Sequence, residues 1–224
     1  RLLADFPMEG LFDTIPDFHN TRRRLEVFFD AVSRDEMNRA AGVRPEIGFF
    51  ERNAALGSKL LDMQKRGELP LRVTHNDTKF NNVLIDDATG RPLCIIDLDT
   101  VMPGLAAYDF GDAVRFAAST AGEDERDLSR VALDMDKYDA FSQGFAEAAA
   151  GFLTDAEMRT LHLGAPIITM ELASRFLLDH LTGDRYFRIA REGHNLDRAR
   201  CQIALAQSML DRADAMAAAI EKYM

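Results

Sequence analysis

The apolar pattern of this chain changes period twice, and the short stretch between the two changes restricts the fold more than any other feature. From Thr21 to Ala41 the positions Leu25, Phe28, Phe29, Val32 and Met37 recur at helical spacing, and Gly42 is expected to close that helix. A second helix is expected from Pro45 to Arg66, with proline in its first turn and Gly67 as its stop. After Pro70 the pattern breaks, and Leu71-Arg72-Val73-Thr74 is short, extended and β-branched. Asn82-Val83-Leu84-Ile85 and Leu93-Cys94-Ile95-Ile96 then flank Asp86-Asp87-Ala88-Thr89-Gly90, the pattern of a β-hairpin closed by a glycine-containing turn. Beyond Gly104 the helical period returns. Thr154-x-x-Glu157 is a capping-box signature, and Ile167 to Leu181 and Leu196 to Tyr223 read as two further helices. The expected fold class is therefore α+β, mostly helical around a small β-hairpin, with the chemistry at the hairpin.

His75-Asn76-Asp77-Thr78-Lys79-Phe80-Asn81-Asn82 stands immediately before that hairpin. It carries the H-x-D-x-x-x-x-N spacing of a kinase catalytic loop. A carboxylate at Asp77 can orient an attacking hydroxyl and accept its proton, while the neutral amide oxygen of Asn82 can join a Mg²⁺ shell without adding charge. A second metal-binding carboxylate is expected at the end of the next strand, and Ile95-Ile96-Asp97-Leu98-Asp99 supplies Asp97, which the hairpin brings back beside Asn82. Asp99 is a candidate auxiliary ligand or loop-orienting acceptor. The tripeptide Asp109-Phe110-Gly111 spells the protein-kinase metal motif literally. Asp109, however, opens a helical stretch instead of ending a strand, so its expected role is to cap that helix or brace the catalytic loop. His75 reads as a packing and hydrogen-bonding residue.

Composition narrows the class. A chain of 224 residues, 47% apolar, can bury a core without staples, and its net charge of −10 argues against a general nucleic-acid or anionic-membrane binder. No apolar run approaches the roughly 20 residues of a membrane span. Two distant cysteines, Cys94 and Cys201, fit a reducing cytosol and a cytoplasmic location and offer no metal framework. The fourteen glycines never stand closer than six positions, so neither G-x-G-x-x-G nor a Walker A loop is present.

The segments Thr74 to Val83 and Ile96-Asp97-Leu98-Asp99-Thr100-Val101-Met102-Pro103-Gly104 resemble the aminoglycoside-phosphotransferase-like superfamily, which is protein-kinase-like. Within it the chain is most similar to the bacterial N-acetylhexosamine 1-kinases. Tyr108-Asp109-Phe110-Gly111-Asp112, the lead-in Ile15-Pro16-Asp17-Phe18-His19-Asn20, and the distal Arg175-Phe176-Leu177 through Gly183-Asp184-Arg185-Tyr186-Phe187 share the likeness. The resemblance implies a two-lobed fold, ATP and Mg²⁺ as cofactors, and a nucleotide and a small sugar as binding partners, with phosphorylation of the anomeric hydroxyl of GlcNAc or GalNAc. It implies Asp77 as the catalytic base, Asn82 and Asp97 as metal ligands and Lys79 towards the γ-phosphate. Arg175 and Tyr186 would be sugar contacts.

The likeness also carries a departure. No β-rich segment precedes Thr21 and no phosphate-covering glycine loop is found, so residues 1–20 read as an irregular lead-in from an N-lobe needed for full activity. Residues 21–224 then form the C-terminal lobe, with a catalytic loop at 74–83, a metal loop at 95–104 and a helical acceptor-binding part at 134–224. Other acceptors, such as an aminoglycoside, a choline-like amine or an amino-alcohol, stay open, as does a non-catalytic sugar-binding lobe. From helical spacing alone, Arg175 pairs with Glu171 one turn before it. Arg22-Arg23-Arg24 reads as a solvated face, Glu123 to Asp127 as an exposed helix start, and the alanine-rich C-terminal stretch as a helix docked on its own lobe.

Overall fold

A computed structural model describes residues 6–224. Residues 6–20 contain one 3₁₀ turn at Met8–Gly10 and otherwise irregular backbone. Helices α1 (Thr21–Arg34) and α2 (Arg44–Lys65) follow, then strands β1 (Arg72–Thr74), β2 (Val83–Ile85), β3 (Pro92–Ile95) and β4 (Met102–Gly104), and helices α3 (Ala106–Ala117), α4 (Met135–Ala149), α5 (Asp155–Leu181), α6 (His194–Leu210) and α7 (Ala213–Glu221). The strands form two separate antiparallel pairs. β1 pairs with β4, Thr74 opposite Met102. β2 pairs with β3 as the expected hairpin, Val83 opposite Ile95, with an irregularity at Leu84/Ile85. Its turn is tied by Asp86, whose Oδ1 accepts from the N–H groups of Ala88 and Thr89, and Gly90 supplies the positive φ of 67°.

The core is organised on α5. Its N-terminal half joins α3, α4, α7 and the end of α6 in one apolar cluster, and its C-terminal half joins α1, α2 and the start of α6 in a second. Leu161, Ile167, Met170 and Leu177 are all fully buried, and α5 is enclosed on nearly all sides, as a central helix must be. By length and composition α5 passes the test for a membrane span, contrary to the expectation that no stretch comes near it, yet 78% of its most apolar window is buried inside the fold. Where α3 crosses α5 the backbones touch. A Cβ on Gly164 would lie 1.7 Å from the Ala107 carbonyl oxygen, so only glycine fits there.

Four boundaries differ from expectation, each for a local reason. Helix α1 stops at Arg34, not Ala41, because Asp35 adopts a left-handed backbone and its carboxylate takes the N–H groups of Arg39 and Ala40 at 2.8 and 2.9 Å. The capping box at Thr154 and Glu157 opens α5, and the helix runs through Pro166 to Leu181 instead of restarting at Ile167, because both halves are buried in the core. The C-terminal stretch docks on its own lobe but breaks between α6 and α7, where the Arg212 guanidinium bonds back to the carbonyl and hydroxyl of Ser208. Residues Glu123 to Asp127 form a loop, not a helix start, held by ion pairs of Glu123 with Arg115 and Glu125 with Arg130 and by a hydrogen bond between Asp124 and His194.

Candidate active site

The catalytic-loop segment leaves β1 at Thr74 and turns at once. Thr74 Oγ1 lies 3.0 Å from the Met102 carbonyl and 2.9 Å from Asn76 Oδ1, sharing its single proton between them. Gly104 makes room for this, since a Cβ there would stand 2.2 Å from Thr74 Oγ1. Asn76 is buried with φ of 64°, in the left-handed region that asparagine tolerates better than most residues. Its polar groups are all engaged. The N–H donates to Asp109 Oδ1 (2.7 Å), the side-chain nitrogen donates to the Thr100 carbonyl (3.0 Å), and the carbonyl faces His19 Nε2 (2.9 Å).

Asp109 is the brace of this loop and not the cap of α3, which begins at Ala106 after Leu105. It receives the N–H of His75 on Oδ2 (2.8 Å) beside that of Asn76 on Oδ1, while its carbonyl accepts from Thr78 Oγ1 (2.6 Å). Burial pushes its carboxyl above the usual carboxylate range, and the two N–H groups oppose that only in part. His75 does hydrogen-bonding work. Its Nδ1 accepts from the Asp77 N–H at 3.3 Å, which leaves Nε2 as the donor to the Ile96 carbonyl at 3.1 Å.

The loop and the hairpin bring Asp77, Lys79, Asn82 and Asp97 into one cluster. Asp77 Oδ2 accepts from Lys79 Nζ (2.6 Å) and from Asn82 Nδ2 (2.9 Å), and Asn82 Nδ2 also donates to the Asp77 carbonyl (2.8 Å). Among the described residues Asp77 Oδ1 and Asn82 Oδ1 take part in no hydrogen bond. The Ile96 N–H donates to the Asn82 carbonyl at 2.9 Å, so the hairpin register places Asp97 directly after the residue opposite Asn82. Asp97 also has a positive φ, 65°, and Lys79 Nζ stands 3.9 Å from its Oδ2, between the two aspartates. Among the described residues no three His, Cys, Asp or Glu side chains gather into a metal cage. The donor set here is one carboxylate and one amide oxygen, which suits a hard divalent cation that keeps water and phosphate oxygens as its other ligands. Asp99 contributes its carbonyl, which accepts from Thr14 Oγ1 at 2.9 Å, while its side chain is exposed.

A family model described as the phosphotransferase enzyme family matches residues 1–149, about two thirds of the chain. The chain belongs to the phosphotransferase enzyme family. The matched segment contains the Asp77, Lys79, Asn82 and Asp97 cluster together with Asp109, whereas Arg175 and Tyr186 lie beyond it.

Those two side chains meet each other in the phosphotransferase but do not touch Asp77. The Arg175 guanidinium sits 5.8 Å from the Tyr186 ring centre, 5.5 Å from that of Phe187 and 6.0 Å from that of Phe18. The expected pair with Glu171 does not form, because Glu171 is turned inward onto His19 and Thr21. Arg175 and Tyr186 line a cleft of about 230 Å³ with Asp17, Arg23 and Arg24. Of the basic triplet, Arg22 is paired with Asp62 and Arg23 with Glu26, while Arg24 reaches the Phe18 carbonyl. His19 was not expected at the site at all. Phe18-His19-Asn20 is visible in the lead-in, but nothing local marks a contact with residues 57 and 152 positions away.

Proposed function

We propose that this phosphotransferase is an ATP-dependent small-molecule kinase acting on an alcohol, and that its acceptor is the anomeric hydroxyl of an N-acetylhexosamine. The observation that carries the reading is the asymmetry of the Asp77 carboxylate. Oδ2 is fixed by Lys79 and Asn82, while Oδ1 is open to receive a substrate hydroxyl. A carboxylate held in this way orients the hydroxyl and takes its proton as the new O–P bond forms. Asn82 Oδ1 and the Asp97 carboxylate would hold Mg²⁺. When bound, ATP and Mg²⁺ supply the phosphoryl group and neutralise the charge on its oxygens. Lys79, already between the two carboxylates, would reach towards the γ-phosphate.

For the acceptor, support comes from Arg175. It has no carboxylate within 4 Å among the described residues and faces a cleft with Tyr186. A guanidinium there repels cationic amines and can donate to sugar or acetamido oxygens, which favours a neutral amino-sugar derivative over an aminoglycoside. The fold reads as a protein-kinase-like C-terminal lobe, and the hairpin supports a second lobe above it. Leu84, Leu93, Ile95 and Leu98 are exposed, a surface that a strand-rich N-lobe would cover. A cytoplasmic location fits the ATP requirement and the two free thiols.

The test is turnover in the full-length protein, read as ADP release across a panel of hexosamines, aminoglycosides and amino-alcohols. Saturation by GlcNAc or GalNAc and loss of at least about a hundredfold in kcat for Asp77→Asn are expected. Wild-type turnover by Asp77→Asn would remove Asp77 as the base, and saturation by an aminoglycoside alone would replace the acceptor.

A further inference from the structure

We infer that His19 is a positioning residue for Asp77: a buried imidazolium, held by Glu171, that fixes the peptide plane from which the Asp77 side chain departs. This rests on the reading of Asp77 as the base and adds what aims it. His19 Nδ1 lies 2.9 Å from Glu171 Oε1, and Nε2 lies 2.9 Å from the Asn76 carbonyl oxygen. Both partners are acceptors. A neutral ring carries one N–H and would set a lone pair against one of them, whereas the doubly protonated ring satisfies both. The side chains of His19 and Glu171 are 11% and 2% exposed, so both ring nitrogens depend chiefly on these protein partners. The second Glu171 oxygen is already taken by Thr21 Oγ1 at 2.6 Å.

The held group is the peptide between Asn76 and Asp77. Its carbonyl is fixed by His19 and its N–H by His75 Nδ1, so one imidazole grips each end. Rotation of this plane would swing the Asp77 side chain away from Lys79 and Asn82. The left-handed backbone of Asn76 sets the orientation of this plane, and the two imidazoles hold it there.

The charges facing His19 come from two helices. On α5 these are Glu171, with Arg175 one turn on. On α3 they are Tyr108, whose ring centre is 5.3 Å from that of His19, with Asp109, which His75 also faces, and Asp112, which is paired with Arg115. Burial pushes the imidazole down, but the Glu171 charge and hydrogen bond, the Asn76 carbonyl and Asp112 outweigh it, and the net direction is up. Glu171 moves the opposite way. Burial raises it, and His19 and Thr21 bring it below its usual range. The grip is therefore present below the ordinary imidazole value and is lost as pH rises through the raised His19 value.

The experiment begins with ¹⁵N-imidazole NMR on this chain. At neutral pH both His19 nitrogens should appear protonated, and the Asp77 amide signal should shift in step with His19 as pH rises. Glu171→Gln is the decisive variant. Its oxygen can keep the Thr21 contact while its N–H donates to Nδ1, so a neutral Nε2–H ring holds Asn76, and the Asp77 amide should stop following pH. In the full-length protein, His19→Ala should lower kcat on the order of 10–100-fold with acceptor KM little changed, and His19→Gln should recover part of it through its side-chain donor. The alkaline fall of kcat should disappear in Glu171→Gln.

A singly protonated His19 at neutral pH, or a pH profile untouched by Glu171→Gln, overturns the inference. The wild-type titration and Glu171→Gln need no destabilised protein, so failure of His19→Ala to fold does not protect it. An inactive Asp77→Asn together with an Asp77 amide indifferent to His19 sinks this inference alone. An active Asp77→Asn with the NMR coupling intact sinks the functional reading instead.

Discussion

Replacing Asp109 by asparagine should lower the melting temperature substantially, whereas the same change at Asp97 should leave it nearly unmoved. Asp109 is half-buried and receives two successive backbone N–H groups at 2.8 and 2.7 Å, one on each oxygen. Asparagine keeps one oxygen and turns an NH₂ towards the other donor. A charge-assisted bond worth about 1.5–3 kcal/mol is lost, and a buried N–H is left unsatisfied at a further cost of about 1–3 kcal/mol. Part of this is offset, because burial already opposes the ionised Asp109 carboxyl and asparagine carries no charge. The net loss should be about 2–4 kcal/mol, which at this chain length is on the order of 5–15 °C in Tm.

Asp97 is 47% exposed and only approaches Lys79 at 3.9 Å, and asparagine accepts its left-handed backbone, so Asp97→Asn should stay within about 0.5 kcal/mol of wild type. If Asp97 holds the metal as proposed, the order should reverse for catalysis, with Asp97→Asn losing at least about a hundredfold in kcat. Circular-dichroism melts of both variants at neutral pH decide the point. A melt of Asp109→Asn within 2 °C of wild type would refute the brace, and an equal drop in Asp97→Asn would refute the division of roles.

Two further outcomes follow from the packing. Arg72 makes two 2.8 Å contacts to Glu157, which is 3% exposed, so Arg72→Met should cost about 3 kcal/mol at neutral pH. Burial alone would raise the Glu157 carboxyl, and Arg72 and the Thr154 N–H bring it below its usual range, so this stabilisation is present above the unfolded value and lost as pH falls through the folded one. Urea titrations at pH 7 and pH 3 should therefore show the gap between wild type and Arg72→Met narrowing in acid, and a pH-independent gap would contradict the argument. Gly164→Ala places a Cβ 1.7 Å from the Ala107 carbonyl and must push α3 off α5, at a cost of about 2 kcal/mol or more. Because α3 carries Asp109, the amides of His75 and Asn76 should exchange faster with solvent, and unchanged protection would show that the crossing does not position the loop.

What could be read from sequence was local. The cluster of Asp77, Asn82 and Asp97 depends on a hairpin whose strands adjoin in the chain, and its turn residues and apolar runs were visible. Helix ends were less visible, since the Asp35 turn competes with a helical pattern that continues to Met37, and burial on all sides carries α5 through Pro166. The pairing of Arg175 with Glu171 failed for the same reason that His19 was missed. A rule about neighbours on one helix cannot know that Thr21 and His19, 150 and 152 positions away, claim the carboxylate first.

The site gains coherence from one face of α5. Glu157 anchors β1 through Arg72, Gly164 admits α3 and with it Asp109, and Glu171 holds His19 against the Asn76 carbonyl. These three stand at successive seven-residue steps, which in an α-helix return to nearly the same side. Arg175 follows one turn later, roughly 6 Å further along the axis. The catalytic loop is thus fixed at three points to the same rigid element that carries the proposed acceptor contact. An acceptor gripped by Arg175 is therefore referenced to the rod that aims Asp77, and a shift of α5 would move both together. That coupling would let a loop turned by the left-handed Asn76 keep the proposed base within the sub-ångström tolerance that phosphoryl transfer requires.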